Sequence, residues 1–472
     1  MEPQQSPANP LAAARREKPK QGNKAVAKPK HAGSKNAGTK RHPLNRRPEE
    51  LGAKRRASKG DRTGGTASFE ARSLRSFAPQ DDVRSADGDF YKVAQLVGPA
   101  DRALLRQVRA FAEDKVAPII NQYWGRAEFP FELIRDYGAL GIAGVPYKGF
   151  GCRGASTLLD GLIMLELARI DCSIATFHGV HSGLAMGSIY QCGSDAQKRR
   201  WLPAMARAEK IGAFGLTEPE VGSGAARGLT TTAERRGKDW ILNGRKRWIG
   251  NATFADLTII WARDVADGQV KGFVVEKGTP GFSTQKMQHK MALRVVQNAD
   301  ITLADCRVAD ENRLANARSF KDTAAVLRMT RAGVAWESVG CAQGAYEHAL
   351  RYACKREQFD RPIARFQLVQ DLLVRMLANV TASQCMVLRL SQLQDAGAMN
   401  EEHASLAKAF CTVRARETVG WARELLGGNG ILLDHHVGRF VADAEAIYSY
   451  EGTREINSLV VGRAITGFGA FV

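Results

Sequence analysis

The chain lacks the cysteine pairs that disulfide frameworks and zinc sites require. Its eight cysteines are scattered, and no two of them form a Cys-x-x-Cys pair. This usage favours reduced, buried thiols in an intracellular compartment. No stretch approaches the roughly 20 apolar residues that cross a bilayer, so no transmembrane segment is expected. The ending Ala470-Phe471-Val472 is not a peroxisomal tripeptide of the Ser-Lys-Leu type, and cytoplasm, mitochondrial matrix and peroxisome all remain open.

Residues 1–64 contain no aromatic side chain, few β-branched residues and few acids. They hold 17 Lys and Arg against five Asp and Glu, so about +12 of the formal net charge of +19 belongs to this segment. Such a composition cannot bury enough apolar surface to fold alone, and we predict a basic, disordered arm over residues 1–82. A solvated tail or a processed leader is the preferred interpretation, and binding to RNA, DNA or an anionic membrane is the alternative. Nucleic acid is not the partner that we expect for the rest of the chain.

The rest of the chain has the composition of a globular enzyme. A length of 472 residues and a hydrophobic content of 44% allow two or three domains with a large core. Helical spacing of apolar residues dominates residues 83–212, which we predict to be an N-terminal helical domain. Residues 101–124 form one predicted helix, which Pro118 must interrupt or kink. Residues 156–169 form another, apolar nearly all round as expected for an interior helix.

The pattern changes over residues 213–320, which we predict to be a small β-barrel-like or sandwich domain. Residues 240–249 are predicted to form a hairpin around Asn243-Gly244, a pair favoured in type I′ turns. Further strands are predicted at residues 257–262, 272–276 and 300–303. Residues 321–472 return to helical spacing, most clearly over residues 366–394, and predict a C-terminal four-helix bundle. The predicted fold is therefore mainly α with a central β domain.

Two segments of the β domain have the chemistry to hold a flavin. In Leu216-Thr217-Glu218-Pro219, followed by Gly222-Ser223-Gly224, backbone donors could bond flavin carbonyl oxygens, and the glycines allow close approach. An ordinary turn is the alternative for this segment. In Lys246-Arg247-Trp248-Ile249-Gly250, the indole of Trp248 could cover one face of the ring, and a core tryptophan is the alternative.

Glycine-rich and charged segments follow in the C-terminal part. Leu426-Gly427-Gly428-Asn429-Gly430 ends a predicted helix instead of following a strand, so it is not a Rossmann fingerprint. A helix end that a ligand or a partner subunit approaches closely is the better interpretation. Arg356 suits a pyrophosphate, with an exposed surface charge as the alternative. No metal site is predicted, because His435-His436 has no acidic or cysteine partner at ligand spacing.

Taken in order, the motifs resemble those of the acyl-CoA dehydrogenase and acyl-CoA oxidase family, over roughly residues 89–472. The matching segments are Leu216-Thr217-Glu218-Pro219 with Gly222-Ser223, Lys246-Arg247-Trp248-Ile249, Arg356-x-Gln358-Phe359, Phe366-Gln367, Leu426-Gly427-Gly428-Asn429-Gly430 and Tyr450-Glu451-Gly452-Thr453. Within the family, the chain end is similar to glutaryl-CoA dehydrogenase and to the plant short-chain acyl-CoA oxidases. The resemblance implies the family's helix–β–helix fold and a homotetramer with one FAD per subunit.

Carried over residue by residue, the resemblance assigns roles to three groups of positions. The FAD contacts that it implies within the subunit are Phe214, Leu216, Thr217, Trp248, Ile249, Gly250, Thr453 and Glu455. The contacts that it implies to the FAD of an adjoining subunit are Arg356, Gln358, Phe359 and Gly428. On the substrate side it implies Ser223, Arg331, Tyr450, Gly452 and Ala175.

Glu451 is the catalytic base that the resemblance implies. The α-proton of an acyl thioester is weakly acidic, so its removal needs a carboxylate that is close, partly desolvated and raised in pKa. The backbone N–H of Glu451 and a flavin ribityl hydroxyl are expected to bond the thioester carbonyl oxygen. The β-hydride then passes to flavin N5, since the cofactor carries the redox step.

Three positions depart from the family pattern or decide between its variants. Ala175 stands where glutaryl-CoA dehydrogenase keeps an Arg for a distal carboxylate, so we expect a monocarboxylic, short-chain acyl-CoA. Thr330 stands where some relatives place the base, which favours Glu451. Gly250 stands where many dehydrogenases have a Thr that bonds flavin N5, and its small size is expected to open space near the ring.

We therefore expect FAD-dependent α,β-dehydrogenation of a short-chain acyl-CoA to a trans-2-enoyl-CoA, a reaction of fatty-acid β-oxidation. The electron acceptor is an electron-transfer flavoprotein or dioxygen. An acyl-CoA oxidase is the first alternative, because of Gly250 near the reactive edge of the flavin. An inactive flavin-fold binding protein with a nucleic-acid-binding arm is the second alternative.

Overall fold

The computed structural model describes residues 88–469, and the predicted basic arm over residues 1–82 lies outside them. Helices come first, a β-sheet follows, and helices complete the chain. The predicted fold, mainly α with a central β domain, is confirmed. The domain boundaries at residues 83, 213 and 321 remain predictions. None of the helices within residues 88–469 combines the length and the apolar composition that spanning a bilayer requires.

The first helices explain how the chain accommodates Pro118. Helix α1 (Pro99–Ala110) continues through a π-helical segment (Phe111–Val116) into α2 (Ala117–Arg126). Pro118 lies in the first turn of α2, a position where its missing N–H is tolerated. The predicted interruption is therefore the π-helical segment just before the proline.

A tightly buried group of helices follows. These helices are α3 (Leu133–Leu140), α4 (Thr157–Ile170), α5 (Cys172–His178), α6 (Gly187–Cys192) and α7 (Asp195–Ala206). A second π-helical segment, Gly179–Met186, joins α5 to α6. Helix α4 begins after Ser156, whose side chain accepts a hydrogen bond from the Leu159 N–H. Nearly all of α4 is buried, as its apolar sequence predicts.

Among the described residues, the middle of the chain forms one mixed seven-stranded sheet. Its strands are β1 (Gly212–Gly215), β2 (Thr232–Arg236), β3 (Asp239–Ile249), β4 (Leu257–Asp264), β5 (Val270–Glu276), β6 (Phe282–Lys286) and β7 (Ala299–Ala309). The hydrogen-bonded order is β1-β4-β2-β3-β7-β6, and β5 pairs with β4 outside this path. Strands β1 and β2 run parallel to β4, and the other pairs are antiparallel. The sheet buries its own apolar cluster, which includes Trp240 and Phe273.

The hairpin predicted around Asn243-Gly244 is wrong. Asp239–Ile249 is a single strand, which pairs with β2 on one side and β7 on the other. Gly244 has a φ of 147° and lies at a register shift against β7, so the Asn-Gly pair marks a β-bulge within the strand. A Cβ on Gly244 would stand 2.6 Å from Thr231 Oγ1, and the Asn243 side chain bonds Asp305 on β7.

The C-terminal helices form the predicted bundle. They are α8 (Phe320–Lys355), α9 (Gln367–Asp395), α10 (Glu401–Leu426), α11 (Val437–Ser449) and α12 (Arg454–Thr466). Helices α8 and α10 pack against each other, α9 packs against both, and α11 and α12 lie against α10. The predicted glycine-rich helix end is confirmed, because α10 ends at Leu426 and Gly427–Ile431 continues as a 3₁₀ segment.

Helix α8 also packs against α4, so the bundle and the N-terminal helices share a core. Gly340 makes this crossing close, because a Cβ there would stand 2.4 Å from the Leu165 carbonyl oxygen. The face of α8 that carries Thr330 and Glu337 consequently meets α5 and the π-helical segment after it. The C-terminal motif lies against this face.

Candidate active site

The two β-domain motifs are joined side by side. The Arg247 N–H donates to the Thr217 carbonyl oxygen over 2.8 Å. The Lys246 ammonium group donates to the Leu216 carbonyl oxygen (3.2 Å) and to Glu218 Oε1 (2.9 Å). Segments about thirty residues apart in the chain therefore form one surface.

The Lys246–Glu218 ion pair that joins them is buried, and sequence analysis did not identify it. Lys246 is fully buried, and the Glu218 carboxylate also accepts from the N–H and hydroxyl of Thr230 and from the Thr231 N–H. Burial lowers the pKa of Lys246 to about 8. Burial acts to raise the pKa of Glu218, but the Lys246 charge and these donors outweigh it and lower the pKa to about 2. The pair is thus ionised at neutral pH and fixes the loop after β1 to β3.

Trp248 presents its side chain at this surface. The residue is 54% exposed, its φ is 67°, and its carbonyl oxygen accepts from Asn298 Nδ2 over 3.1 Å. The alternative of a core tryptophan is therefore wrong, and the indole is available to stack on a planar ligand. Phe214, Leu216 and Ile249 are buried, and the FAD contacts expected of them remain predictions.

The π-helical segment Gly179–Met186 connects this surface with the bundle. A Cβ on Gly250 would stand 3.1 Å from Val180 Cγ2, and a Cβ on Gly183 would stand 3.3 Å from Thr330 Cγ2. A side chain at Gly250 would therefore be crowded by Val180, and the space expected near the flavin ring remains a prediction. Val180 packs against the glycine and takes up the room that a larger side chain would need.

Glu451 lies in the turn between α11 and α12, with a φ of 54°. The Thr330 hydroxyl donates to Glu451 Oε1 over 3.2 Å, and Oε2 is buried with no hydrogen-bond partner among the described residues. Burial raises the pKa of this carboxyl group, and the Arg331 charge, the Thr330 hydrogen bond and the Lys408 charge act against the rise. A partly desolvated carboxylate with one free oxygen can take a proton from a carbon acid.

Two buried cations hold the Glu451 turn. Arg331 is 7% exposed, and its Nε donates to the Glu451 carbonyl oxygen over 3.3 Å while its Nη1 bonds helix α10. Lys408 is fully buried and donates to the carbonyl oxygens of Tyr448 (2.7 Å) and Gly452 (2.8 Å). The substrate role of Arg331 remains a prediction. Sequence analysis missed Lys408, because it lies in α10 outside any motif.

Tyr450 points toward helix α8. Its hydroxyl donates to Glu337 Oε2 over 2.5 Å, and Thr176 Oγ1 lies 2.7 Å from Glu337 Oε1. Glu337 is 2% exposed, and burial raises the pKa of its carboxyl group to about 7. Ala175, the neighbour of Thr176 on α5, is fully buried. Glu337 belongs to no motif, and only its position on the same helix face as Thr330, two turns further along, could have drawn attention to it.

The residues after Glu451 begin helix α12. Gly452 has a φ of 87°, and the Thr453 hydroxyl accepts from the Ile456 N–H over 3.3 Å as the N-cap. Glu455 is exposed and pairs with Arg454 over 2.9 Å. The FAD contacts expected of Thr453 and Glu455 remain predictions.

The remaining expected site residues are exposed. Arg356, Gln358 and Phe359 surround a short hairpin after α8, and Phe359 is 86% exposed. Gly428 is exposed just after α10, and Ser223 is exposed in the loop after β1. Within one subunit these side chains are not gathered around Glu451 by any recorded contact among residues 88–469, which leaves their roles as predictions.

The surface fits the cofactor that the sequence implies. Cβ atoms built on Gly222 and Gly224 would meet nothing within 4 Å, so a ligand can approach the main chain there. Trp248 offers an exposed ring, and Glu451 has a buried oxygen without a partner. An isoalloxazine ring with polar edges and a phosphate-bearing tail suits this combination of backbone, aromatic and carboxylate groups.

Three family models match the chain in order and together span most of its described length. The N-terminal domain of acyl-CoA dehydrogenase matches residues 98–209, and the middle domain matches residues 213–306. The C-terminal domain of acyl-CoA dehydrogenase matches residues 320–466. These matches confirm the resemblance seen in the motifs.

Individual relatives agree with the family models. An acyl-CoA dehydrogenase of Bacillus subtilis (strain 168) is 33% identical over 367 residues, covering 77% of this chain and 97% of that protein. The mitochondrial short-chain specific acyl-CoA dehydrogenase of Rattus norvegicus is 32% identical over 370 residues, covering 77% and 89%. A glutaryl-CoA dehydrogenase structure from Mycobacterium smegmatis in complex with FADH2 has a TM-score of 0.79 at 34% identity, covering 82% of this chain and 100% of that chain. The chain therefore belongs to the acyl-CoA dehydrogenase family and is an FAD-binding oxidoreductase.

Proposed function

We propose that the protein dehydrogenates a short-chain acyl-CoA to the trans-2-enoyl-CoA, with Glu451 as the base that removes the α-proton. The observation that carries this proposal is the Glu451 carboxyl group, which is held in a left-handed turn with one buried oxygen unpartnered among the described residues. The similarity to the short-chain specific acyl-CoA dehydrogenase of Rattus norvegicus supports the same bond chemistry.

Oε2 of Glu451 receives the α-proton, because Oε1 already bonds the Thr330 hydroxyl. Burial raises the pKa of the carboxyl group and makes the carboxylate a stronger base. The nearby charges of Arg331 and Lys408 act against the rise and favour the ionised form of Glu451.

The Glu451 N–H is available to the thioester carbonyl oxygen. No acceptor for it is recorded within residues 88–469. A hydrogen bond from this N–H would stabilise the negative charge that develops on the oxygen as the α-proton leaves. FAD, when bound, supplies the acceptor for the hydride of the β-carbon. Trp248 and the backbone donors of Leu216 and Thr217 hold the ring in place.

The proposed acyl group is short and uncharged at its far end. Ala175 is fully buried and offers no cation where a distal carboxylate would need one. Burying a carboxylate without a partner costs several kcal/mol, so a dicarboxylic acyl-CoA is a poor fit.

We also propose that a homotetramer completes the FAD site. Phe359 is 86% exposed, and Arg356, Gln358 and Gly428 are exposed with it. Exposed aromatic and arginine side chains are typical of surfaces that a partner subunit covers. A neighbouring subunit would place a guanidinium next to the cofactor's pyrophosphate.

Replacing the base tests the proposal directly. Glu451→Gln keeps the shape of the side chain but cannot take the α-proton, so the rate of acyl-CoA-dependent flavin bleaching should fall by about 100-fold or more. The FAD content, read from the yellow absorbance of the purified protein, should stay unchanged. Glu234→Gln, an exposed glutamate on β2, is the matched control and should bleach like the unaltered protein. Substantial turnover by Glu451→Gln would refute the base assignment.

The electron acceptor is settled by a second measurement. With butyryl-CoA as substrate, a dehydrogenase should release little hydrogen peroxide, with or without an artificial electron acceptor. An oxidase should release hydrogen peroxide in proportion to the enoyl-CoA formed. We favour an electron-transfer flavoprotein as the acceptor, since Val180 packs against Gly250 and leaves little room on that side of it.

A further inference from the structure

A second buried acid lies near the proposed base. Glu337 stands seven residues after Thr330 on α8, which is about two helical turns and therefore the same face. Thr330 bonds Glu451, and Glu337 bonds Tyr450, so α8 holds two consecutive residues of the turn at two points. No salt bridge to Glu337 is recorded among the residues that the structure describes. Its carboxyl group is buried with hydroxyl partners alone.

Both short contacts of the Thr176 hydroxyl can be hydrogen bonds only if Glu337 carries a proton. Thr176 Oγ1 lies 2.8 Å from the Cys172 carbonyl oxygen and 2.7 Å from Glu337 Oε1. A threonine hydroxyl has one hydrogen, so it cannot donate along both short contacts. If Glu337 Oε1 carries a proton and donates it to Thr176, the hydroxyl is free to donate to Cys172. The hydroxyl of Tyr450 donates to the other oxygen, Oε2, in either case.

We propose that Glu337 is a positioning residue that acts as a neutral acid, donating to Thr176 and accepting from Tyr450, and that it thereby fixes the turn carrying the base Glu451. Loss of the Glu337 proton leaves Thr176 with two acceptors for one hydrogen. It also adds a second negative charge close to Glu451, which would raise the pKa of the base and change its orientation.

The surroundings of Glu337 agree with a neutral acid. Burial raises the pKa of its carboxyl group to about 7, although the hydrogen bonds with Tyr450 and Thr176 act to lower it. The charges of Asp443 and Glu451 add to the rise. Cys172 on α5 and Lys408 on α10 also face it. Lys408 is engaged with two backbone carbonyl oxygens and does not form an ion pair with Glu337.

Infrared spectroscopy tests the protonation state without any substrate. The difference spectrum between the unaltered holoprotein and Glu337→Gln at pH 6 should show the stretching band of a protonated carboxyl group, which should fade as the pH is raised above 7. Thr176→Val, which removes the acceptor of the proton but keeps the side-chain volume, should shift that band. Absence of the band at pH 6 would overturn the proposal.

Kinetics test the positioning role, and this part rests on the proposed function. Glu337→Gln reproduces a neutral group that both donates and accepts, so its kcat at pH 6 should stay close to that of the unaltered protein. Its kcat should also lose the decline above pH 7 that ionisation of Glu337 causes. Glu337→Leu keeps a similar volume but no hydrogen bonds, and its kcat should fall by about 100-fold with a smaller change in KM.

The outcomes separate the two proposals. Equal losses of kcat in Glu337→Gln and Glu337→Leu, or an unchanged pH profile in Glu337→Gln, would overturn the positioning role. Absence of turnover in the unaltered protein with every short acyl-CoA would overturn the proposed function and leave the infrared result standing. FAD content and the urea midpoint of each variant show whether it folds. If Glu337→Leu does not fold, Thr176→Val replaces it in the kinetic comparison. A pH profile of kcat in Thr176→Val that equals that of the unaltered protein counts against the proposal.

Discussion

Glu451 and Trp248 both lie in the left-handed region of backbone conformation, with φ values of 54° and 67°. A residue with a side chain in this region costs of order 1–3 kcal/mol, and the surrounding structure must hold it there. Asn298 does so for Trp248, because its side-chain amide donates to the Trp248 carbonyl oxygen. Lys408 does so for Glu451 by bonding carbonyl oxygens on both sides of the turn. Residues outside the motifs thus maintain the conformation of residues inside them.

Removing the Lys408 ammonium group should loosen the turn. Lys408→Met keeps most of the stem but removes the donor to the Tyr448 carbonyl oxygen, while the Gly452 carbonyl oxygen keeps a hydrogen bond from Asn457 Nδ2. An unpaired buried polar group costs about 1–3 kcal/mol, so the free energy of unfolding from urea titration should fall by that order. The bleaching rate should also fall. Lys115→Met, at an exposed lysine, is the control and should change neither quantity.

The difference in the free energy of unfolding between the unaltered protein and Lys408→Met should depend on pH in a defined direction. Burial lowers the pKa of Lys408 from 10.5 to about 7, so the unfolded chain binds more protons than the folded one between these values. The free energy of unfolding of the unaltered protein should therefore rise, relative to Lys408→Met, as the pH increases from 7 toward 10. Urea titrations at several pH values measure this difference. A difference that is constant or shrinks over this range would contradict the lowered pKa.

Strand β3 contains a sequence that is typical of a turn but continues through it as a strand. Its Asn243-Gly244 pair is compatible with a type I′ turn, but β3 is paired on both sides and continues through the pair as a bulge. The bulge lets one strand carry the Lys246 and Trp248 positions up to the loop after β1. The active-site surface depends on this continuity.

The bulge should tolerate no side chain at Gly244. A Cβ there would stand 2.6 Å from Thr231 Oγ1 and 2.7 Å from its Cα, at a φ of 147°. Gly244→Ala should therefore lower the free energy of unfolding by about 1–3 kcal/mol more than Gly268→Ala. Gly268 is the matched control, because its φ is also positive, at 69°, but a Cβ there would meet nothing within 4 Å. Equal effects in thermal unfolding would show that backbone strain alone decides the cost.

At the scale of the whole molecule, a buried ion pair connects the N-terminal helices to the C-terminal bundle. Arg439 on α11 pairs with Asp171, the N-cap of α5, and its Nε donates to Asn121 Oδ1 on α2 over 2.7 Å. Arg439 is 1% exposed and Asp171 is fully buried. The link joins the N-terminal helices to the helix that ends just before Glu451.

Breaking this pair should destabilise the entire fold. Arg439→Met leaves the Asp171 carboxylate buried without its cation, and the free energy of unfolding should fall by about 3–5 kcal/mol. Arg416→Met removes a half-exposed pair with Glu445 and should cost less than about 1 kcal/mol. Thermal and urea unfolding of both variants measure the contrast. Similar small effects in the two variants would mean that Asp171 is neutral in the folded protein.

The amino-acid sequence determined the order of helical, β and helical parts, because apolar spacing is a local property that each element carries in itself. It also determined which short segments resemble the family's motifs, and so pointed to Glu451 and Trp248. The sequence could not show that the predicted hairpin is absent, because the pairing strands decide whether Asn243-Gly244 forms a turn or a bulge.

Only the tertiary structure decided what surrounds the base. Thr330, Glu337 and Lys408 lie 40 to 121 residues from the turn that they contact, on helices whose packing brings them there. Likewise, Val180 fills the room beside Gly250 because a π-helical segment passes between the sheet and the bundle. This packing buries Glu337 and brings the Thr176 hydroxyl between two acceptors. The pKa of Glu337 is raised for the same reason, since desolvation is a property of the assembled core and of no residue alone.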